Sequence, residues 1–349
     1  MISYRSATLQ DNAQLLELTR ATGMSGTIAL RSDREPDFFG IMMLRGPSTV
    51  YVAVDGERVI GSICVSREAV FENGAVCPLY YISDFKVHPE YRNRGIGLQL
   101  TCEVVDFLVE HQADLVLLHV AHGNRRPFVF FKDRTHYPDF ENIGTFRIIQ
   151  FPGARTRSPL SPNILELSPS EEVLKFLNDF YRTRQLARIV TQSDLEGVQI
   201  FGFFEKGEIQ SILCLQDTEA FKQHVITKIP AVLRGVVSIL NWLSPITHTT
   251  RLPRVGEPIR MLYIKYLAAP HPNRNVIRHQ IRHARQVAYD GSYAFLSLGL
   301  HERDPLLEYL PGLYRLVFKS TGMLVSMQQS SGTLRRVHAG IPFKDFSSV

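Results

Sequence analysis

Two copies of one α/β domain, joined by a short linker, are what the sequence predicts. Three observations carry this. The chain has 349 residues, which suits two domains of about 150 residues each. It is 44% hydrophobic and 21% charged, so it can bury a core in each half and is not a disordered chain. A hairpin, a strand ending in His-Pro, a helix and a further strand recur in the same order in both halves.

The first copy reads as follows. Ile2–Thr8 has the look of a short strand, and Asp11 can cap a helix that carries Leu15, Leu16 and Leu18. A Gly- and Ser-containing connection leads to Arg34-Glu35-Pro36-Asp37-Phe38-Phe39, where a second short helix is expected because proline suits a first turn. Val50–Val65 is a hairpin turning at Asp55-Gly56. A strand over about Leu79–Val87 ends at His88-Pro89. Beyond it Ile96, Leu100, Val104 and Leu108 fall on one helix face. Leu115–Val120 is a compact apolar strand, broken by Gly123-Asn124, and another short helix is expected after it.

Phe151–Pro169 is rich in Pro, Ser, Arg and Gly and reads as a linker. Ser168, Pro169 and Glu171 then form a capping box for a helix to about Arg184. In the second copy Ile200–Leu215 echoes Tyr51–Val65, with Gly207 in the place of Gly56. Met261–Pro272 echoes Tyr80–Pro89, and a helix and the strand Ala294–Leu300 follow. The spacing excess falls in residues 218–257, an insertion with an apolar helix over Ile229–Leu243. The expected division is 1–150, a linker at 151–168, and 169–349.

Several classes are excluded by composition. No apolar run approaches the roughly 18 residues of a membrane span; the greasiest, Ile229–Leu243, is interrupted by Arg234. The first residues show no apolar signal-peptide core. Cys64, Cys77, Cys102 and Cys214 form no CxxC pair, so they read as reduced thiols of a cytoplasmic protein. The net charge of +5 is uneven: residues 1–150 carry 15 Lys and Arg against 18 Asp and Glu, and the remainder 24 against 16. An acidic half suits a cationic small substrate, and a basic half an anion.

The chemistry sits at Arg92-x-x-Gly95-x-Gly97, between a strand and a helix. A helix start offers unpaired N–H groups and the positive end of its dipole. Glycines let an anion approach the backbone, and Arg92 and Arg94 add charge for a diphosphate. Here the sequence resembles the GCN5-related N-acetyltransferase (GNAT) family. The carriers of the resemblance are Val87-His88-Pro89 before the loop, Arg92–Gly97 itself, Asn124 at a helix start, and the opening Ile2, Arg5, Ala7, Thr8 and Asp11. The likeness is strong over 1–150 and weak in the second half.

That resemblance implies an α/β (α+β) fold of two GNAT-like domains, each a mixed, mostly antiparallel twisted sheet flanked by helices. It implies acetyl-CoA as co-substrate, held by Arg92, Asn93, Arg94, Gly95, Ile96 and Gly97, with Phe85, Lys86 and Val87 pairing with the pantetheine arm. Asn124 and Phe131 join this cofactor set. A backbone N–H would stabilise the thioester oxygen, and an amine would attack directly. The family often places a tyrosine acid where this chain has Phe131, and Tyr137 is the nearby substitute. Asp84 is the carboxylate on the loop-proximal strand, with structural, acceptor-orienting and basic roles open to it. Glu72, Asp33, Glu35 and Asp37 are weaker candidates for the acceptor groove.

The second copy has no such loop: Asn273–Arg278 contains no glycine, so no CoA is expected there. Arg278, Arg282 and Arg285 make a basic stripe, read first as a solvated face and second as an anion or RNA contact. His119 and His122 form HxxH without a third ligand, and no metal is assigned. The leading reading is an acetyltransferase acting on a small cationic amine or an N-terminal amine, not on nucleic acid or at a membrane. The second domain would then build the acceptor cleft or the face of a homodimer. The alternatives are aminoacyl transfer from charged tRNA and a non-catalytic acyl-CoA-sensing module.

Overall fold

Tight turns stand where the sequence places glycine, and they set the sheet. A computed structural model describes residues 1–23, 29–122, 139–156, 159–310 and 315–349. The first copy contributes β1 (Ile2–Ser6), β2 (Ala29–Asp33), β3 (Ser48–Asp55), β4 (Arg58–Glu72), β5 (Ala75–Val87), β6 (Leu115–Ala121) and β7 (Glu141–Pro152). The second contributes β8 (Ile164–Leu167), β9 (Ala187–Arg188), β10 (Gln199–Glu205), β11 (Glu208–Asp217), β12 (Gln223–Lys228), β13 (Pro258–Ile259), β14 (Met261–Ala268), β15 (Phe295–His301) and β16 (Leu316–Ser326). The turn between β3 and β4 uses Gly56 at φ +63, and that between β10 and β11 uses Gly207 at φ +84.

Helix α1 (Asn12–Ala21) and helix α2 (Ile96–Glu110) take opposite faces of the first half-sheet. The apolar stripe of α2, Ile96, Leu100, Val104 and Leu108, is buried against Ile60, Ile63, Tyr80 and Ile82. Burial of four such side chains is worth roughly 6–12 kcal/mol before entropy is counted. The second half repeats this sandwich. Helix Arg274–Asp290 covers β11, β14 and β15 on one face, and helix Glu171–Tyr181 covers β10, β11 and β14 on the other.

The strand order of the large sheet is β1-β3-β4-β5-β6-β16-β7-β15-β14-β11-β10-β8. It reads as a palindrome: each strand of the first copy has its counterpart at the mirrored position. The centre is an exchange. β16, from the C-terminal half, pairs with β6, and β7, from the N-terminal half, pairs with β15. The two exchanged strands pair with each other antiparallel. Each half-sheet is thus completed by a strand of the other. A second bridge is the three-stranded sheet in which β12 pairs with β2.

Gly144 lies in this exchanged centre at φ +116, and a Cβ there would stand 2.2 Å from Nε2 of His301. The His301 Nε2 atom is itself 3.0 Å from the Ile143 carbonyl. Gly144→Ala should therefore destabilise the protein by about 3 kcal/mol through strain and overlap together. Urea unfolding checks this; a midpoint equal to the parent's would refute it.

Several local expectations shift. The cap of helix Glu171–Tyr181 is Ser170, which accepts from the Val173 N–H at 3.3 Å, and not Ser168. That placement puts Glu171 and Glu172 both in the first turn, where the dipole favours them. The helix expected at Arg34–Phe39 begins later, as a 3-10 turn at Gly40–Leu44. The Phe38 and Phe39 N–H groups are taken instead by the Asn12 and Asp37 side chains. Strand β7 runs to Pro152 and β8 occupies Ile164–Leu167, so ordered strand enters both ends of the expected linker. The β4–β5 hairpin, turning at Asn73-Gly74 with both φ positive, was not anticipated. The expected short helix after Gly123-Asn124 falls outside the described residues.

Candidate active site

A cleft opens where β5 and β6 part. The two strands pair in parallel only from Leu79–Leu115 to Ile82–Leu118, yet β5 runs on to Val87 and β6 to Ala121. The cause is a bulge in β5. On β4, Ser62 pairs with Lys86 and Cys64 with Ser83, so β5 carries one residue too many. Asp84 absorbs the extra residue at φ +52. Ser62 Oγ donates to the Asp84 carbonyl at 3.0 Å and fixes the bulge. Gly61 lets helix α2 lie close to it, since a Cβ there would meet Leu100 at 3.0 Å and the Lys86 carbonyl at 3.2 Å. Phe85 and Val87 pack against the α2 core.

The loop beyond β5 ends at the start of α2. Arg92 Nε donates to the Val87 carbonyl at 3.3 Å, and the Arg94 guanidinium lies 4.9 Å from the Tyr91 ring centroid. Asn93 and Gly95 hold φ of +64 and +79. Gly95 is the N-cap of α2 and no side chain caps that end. A Cβ on Gly95 would meet nothing within 4 Å, so open space lies before the helix N-terminus. Arg92, Asn93, Arg94 and Gly95 are exposed, while Ile96 and Gly97 are buried. These residues fit an anion: free first-turn N–H groups, a left-handed glycine and two flanking guanidiniums.

The equivalent end in the second copy is closed. Helix Arg274–Asp290 starts at Asn273, whose side chain accepts from the Val276 N–H at 2.9 Å. Arg282 donates to Thr156 Oγ1 at 2.8 Å and Arg285 to the Pro152 carbonyl at 2.9 Å. Two members of the basic stripe therefore hold the segment after β7, and only Arg278 is exposed. This overturns the expectation of a solvated or RNA-contacting face at Arg282 and Arg285.

Asp84 is not a free carboxylate. Its oxygens accept from Arg34 at 2.6 Å, Arg45 at 2.6 Å and Lys86 at 2.5 Å, and its side chain is 4% exposed. Burial pushes its pKa up, but Arg34, Lys86 and Arg45 outweigh burial and hold the carboxyl well below the ordinary range. A carboxylate so held does not take a proton from an amine near neutral pH, which removes it as general base. It also cannot attract an ammonium group, because its charge is more than compensated. Arg45 further donates to Ser83 Oγ and, through Nε, to the Ser348 carbonyl.

The other sequence candidates scatter. Glu72 pairs with Arg336, Asp33 with Arg31, and Glu35 with Arg20; Asp37 caps the Phe39 N–H. His119 is buried edge-on against Phe146 and Phe346, and burial together with Lys344 lowers its pKa to about 3, so it acts as a core ring. No group of three or more potential metal ligands exists among the described residues. Asn124, Phe131 and Tyr137 lie outside them. What spacing missed is Arg34 and Arg45. They lie 50 and 39 residues from Asp84 in an irregular stretch, and nothing local in the sequence pairs them with it.

Comparison with known proteins follows the same line. Residues 15–132 match the model of the acetyltransferase (GNAT) family. No curated protein matches the chain. Among solved structures, N-myristoyltransferase of Saccharomyces cerevisiae with bound myristoyl-CoA superposes with a TM-score of 0.61 at 11% identity, over 93% of this chain and 82% of that one. A GCN5-related N-acetyltransferase from Anabaena variabilis ATCC 29413 gives 0.54 at 12%, over 93% and 72%. A probable N-acyltransferase from Enterococcus faecalis V583, of unknown function, gives 0.53 at 12%, over 94% and 73%. At these identities the likeness is one of fold.

Proposed function

From a chain whose residues 15–132 are a domain of the acetyltransferase (GNAT) family, we propose an acyl-CoA-dependent N-acyltransferase that moves an acetyl group from acetyl-CoA to a primary amine. The first copy is the catalytic domain, and the second is a degenerate copy without a cofactor loop. The observation that carries this reading is the cleft between β5 and β6 ending at the uncapped, glycine-started α2. In this reading Arg92–Gly97 hold the diphosphate on the α2 N-terminus. The bulged edge of β5, Phe85 to Val87, receives the pantetheine arm, and an N–H there faces the thioester oxygen as charge develops. Acetyl-CoA supplies the activated carbonyl, and the amine attacks it without an acyl-enzyme. Asp84 anchors the bulge and so positions that N–H; proton removal belongs to other groups or to water. Phe131 stands where the family often has its acid, and Tyr137, nearby in sequence, is the substitute candidate for protonating the leaving thiolate.

No helix among the described residues is long and apolar enough to cross a membrane. All four cysteines are free. The test is calorimetry of acetyl-CoA on the full chain, followed by CoA release with an amine panel. One site per chain is expected, because Asn273 closes the second helix start. Two equivalent sites would overturn the degenerate second copy. Binding without turnover of any amine would leave a sensing module, and RNA-dependent turnover would favour aminoacyl transfer.

A further inference from the structure

The bulged end of β5 gathers four largely buried basic side chains. Arg34, Arg45, Lys86 and Lys222 gather there; Arg34, Arg45 and Lys222 are at most 7% exposed, and the Lys86 side chain is 15% exposed. Among the described residues Asp84 and Asp345 are the acidic side chains that act on Lys222. Asp84 is shared by three of the cations. Asp345 also accepts from the Ser347 N–H and hydroxyl. Lys222 comes from the insertion of the second copy and donates to the Val349 main-chain oxygen. His224, on β12, lies with Nδ1 3.1 Å from Ser32 Oγ on β2.

Two signs bear on how far this charge is met. Arg34 places Nη2 on Asp84, but its Nε and Nη1 are buried and have no acceptor among the described residues. Leaving a buried donor unpaired costs about 1–3 kcal/mol, and more for a charged group, so such a donor points to an absent acceptor. The second sign is electrostatic. Burial first, then Arg45 and Arg34, lower the Lys222 pKa to about 7, with Asp345 and Asp84 opposing. Burial, Lys222 and Arg34 likewise lower that of His224 to about 3. For both groups burial is the larger cause, and the neighbouring cations add to it.

We propose that this cluster is the acceptor subsite, that it binds a carboxylate through the free Nε and Nη1 donors of Arg34 with Lys86 and Lys222 beside them, and that the acceptor is therefore an amine of the amino-acid type. The inference rests on the acyltransferase reading above and narrows its substrate. Arg34 is bonded to the bulge residue Asp84, so the subsite adjoins the edge of β5 where the thioester would lie. An amine close to its carboxylate fits that geometry. The earlier expectation of a cationic acceptor is reversed by it.

The experiment presents the full chain and acetyl-CoA with each of the twenty protein amino acids and with the α-amide of each, following CoA release. The amide has the more readily deprotonated amine, so chemistry alone favours the amide. At least one free acid should nevertheless exceed its amide by on the order of 100-fold in kcat/KM, as expected for losing a charged bidentate contact. Arg34→Gln should erase that preference, with acetyl-CoA affinity measured alongside. If that variant does not fold, Arg34→Lys, which keeps the bond to Asp84, should reduce the preference instead. Amides that match the acids, or an Arg34 variant that slows acid and amide alike, would overturn the subsite. Acetyl-CoA binding with no free acid turned over would overturn it while sparing the acyltransferase reading. Failure of acetyl-CoA to bind would overturn that reading.

Discussion

Gly95→Glu should weaken acetyl-CoA binding on the order of 100-fold, or about 2.7 kcal/mol, while the protein stays folded. The argument is geometric and electrostatic. Gly95 starts α2 at φ +79, and a Cβ there meets nothing within 4 Å. A side chain would therefore enter the space before the helix N-terminus and not the core. The left-handed backbone adds a strain of roughly 1–2 kcal/mol, small beside a typical total stability of about 5–15 kcal/mol. The glutamate would place its own carboxylate where the diphosphate belongs, against the same N–H groups. Calorimetry measures the affinity, and circular dichroism melting separates it from unfolding. Gly95→Ala, which adds strain and no charge, should lose far less. Equal affinity in parent and glutamate variant would reduce the loop to a turn.

Asp84→Asn should destabilise the fold by about 3–5 kcal/mol, the range for removing one partner of a buried ion pair. The amide keeps size and can still accept a hydrogen bond. It leaves Arg34, Arg45 and Lys86, at 7%, 1% and 15% exposure, without their shared counter-charge. The bulge that opens the cleft is built on the same residue, so activity should fall along with stability. Sequence alone placed Asp84 at the reaction centre, where its substitution would be a matter of kinetics. The structure makes it a matter of folding. Urea unfolding of parent and variant decides: a loss below about 1 kcal/mol, the scale of an exposed pair, would mean that the fold does not depend on the Asp84 charge.

Much of the architecture was legible because it is local. Gly56 and Gly207 mark hairpins through the backbone conformation that they alone adopt cheaply. The spacing of Ile96, Leu100, Val104 and Leu108 is a helix face whatever it packs against. The duplication was legible because turns and His-Pro endings survive when side chains diverge. What was not legible is long-range. Nothing in β7 or β16 says which half-sheet each joins, since either order presents the same alternation of side chains. The charge cluster was hidden for the same reason: Arg34, Asp84 and Lys222 come from an irregular turn, a bulge and an insertion. The net acidity of residues 1–150 pointed the wrong way, because the sum over a half-chain does not give the field at one point inside it.

The exchange of β7 and β16 bears on how the chain can assemble at all. A protein of two consecutive domains can finish the first while the second is still being made. Here the first half-sheet needs β16, the last strand in chain order among the described residues, before β6 has its second neighbour. Until then the outer edge of β6, apolar and flat, is exposed to any strand that meets it, including the same edge of another nascent chain. The pairings that close the sheet join residues some 200 apart, such as Ser320 with Ala121, and contacts of such separation fold slowly. Each of the two similar halves thus waits on a strand of the other to close its sheet.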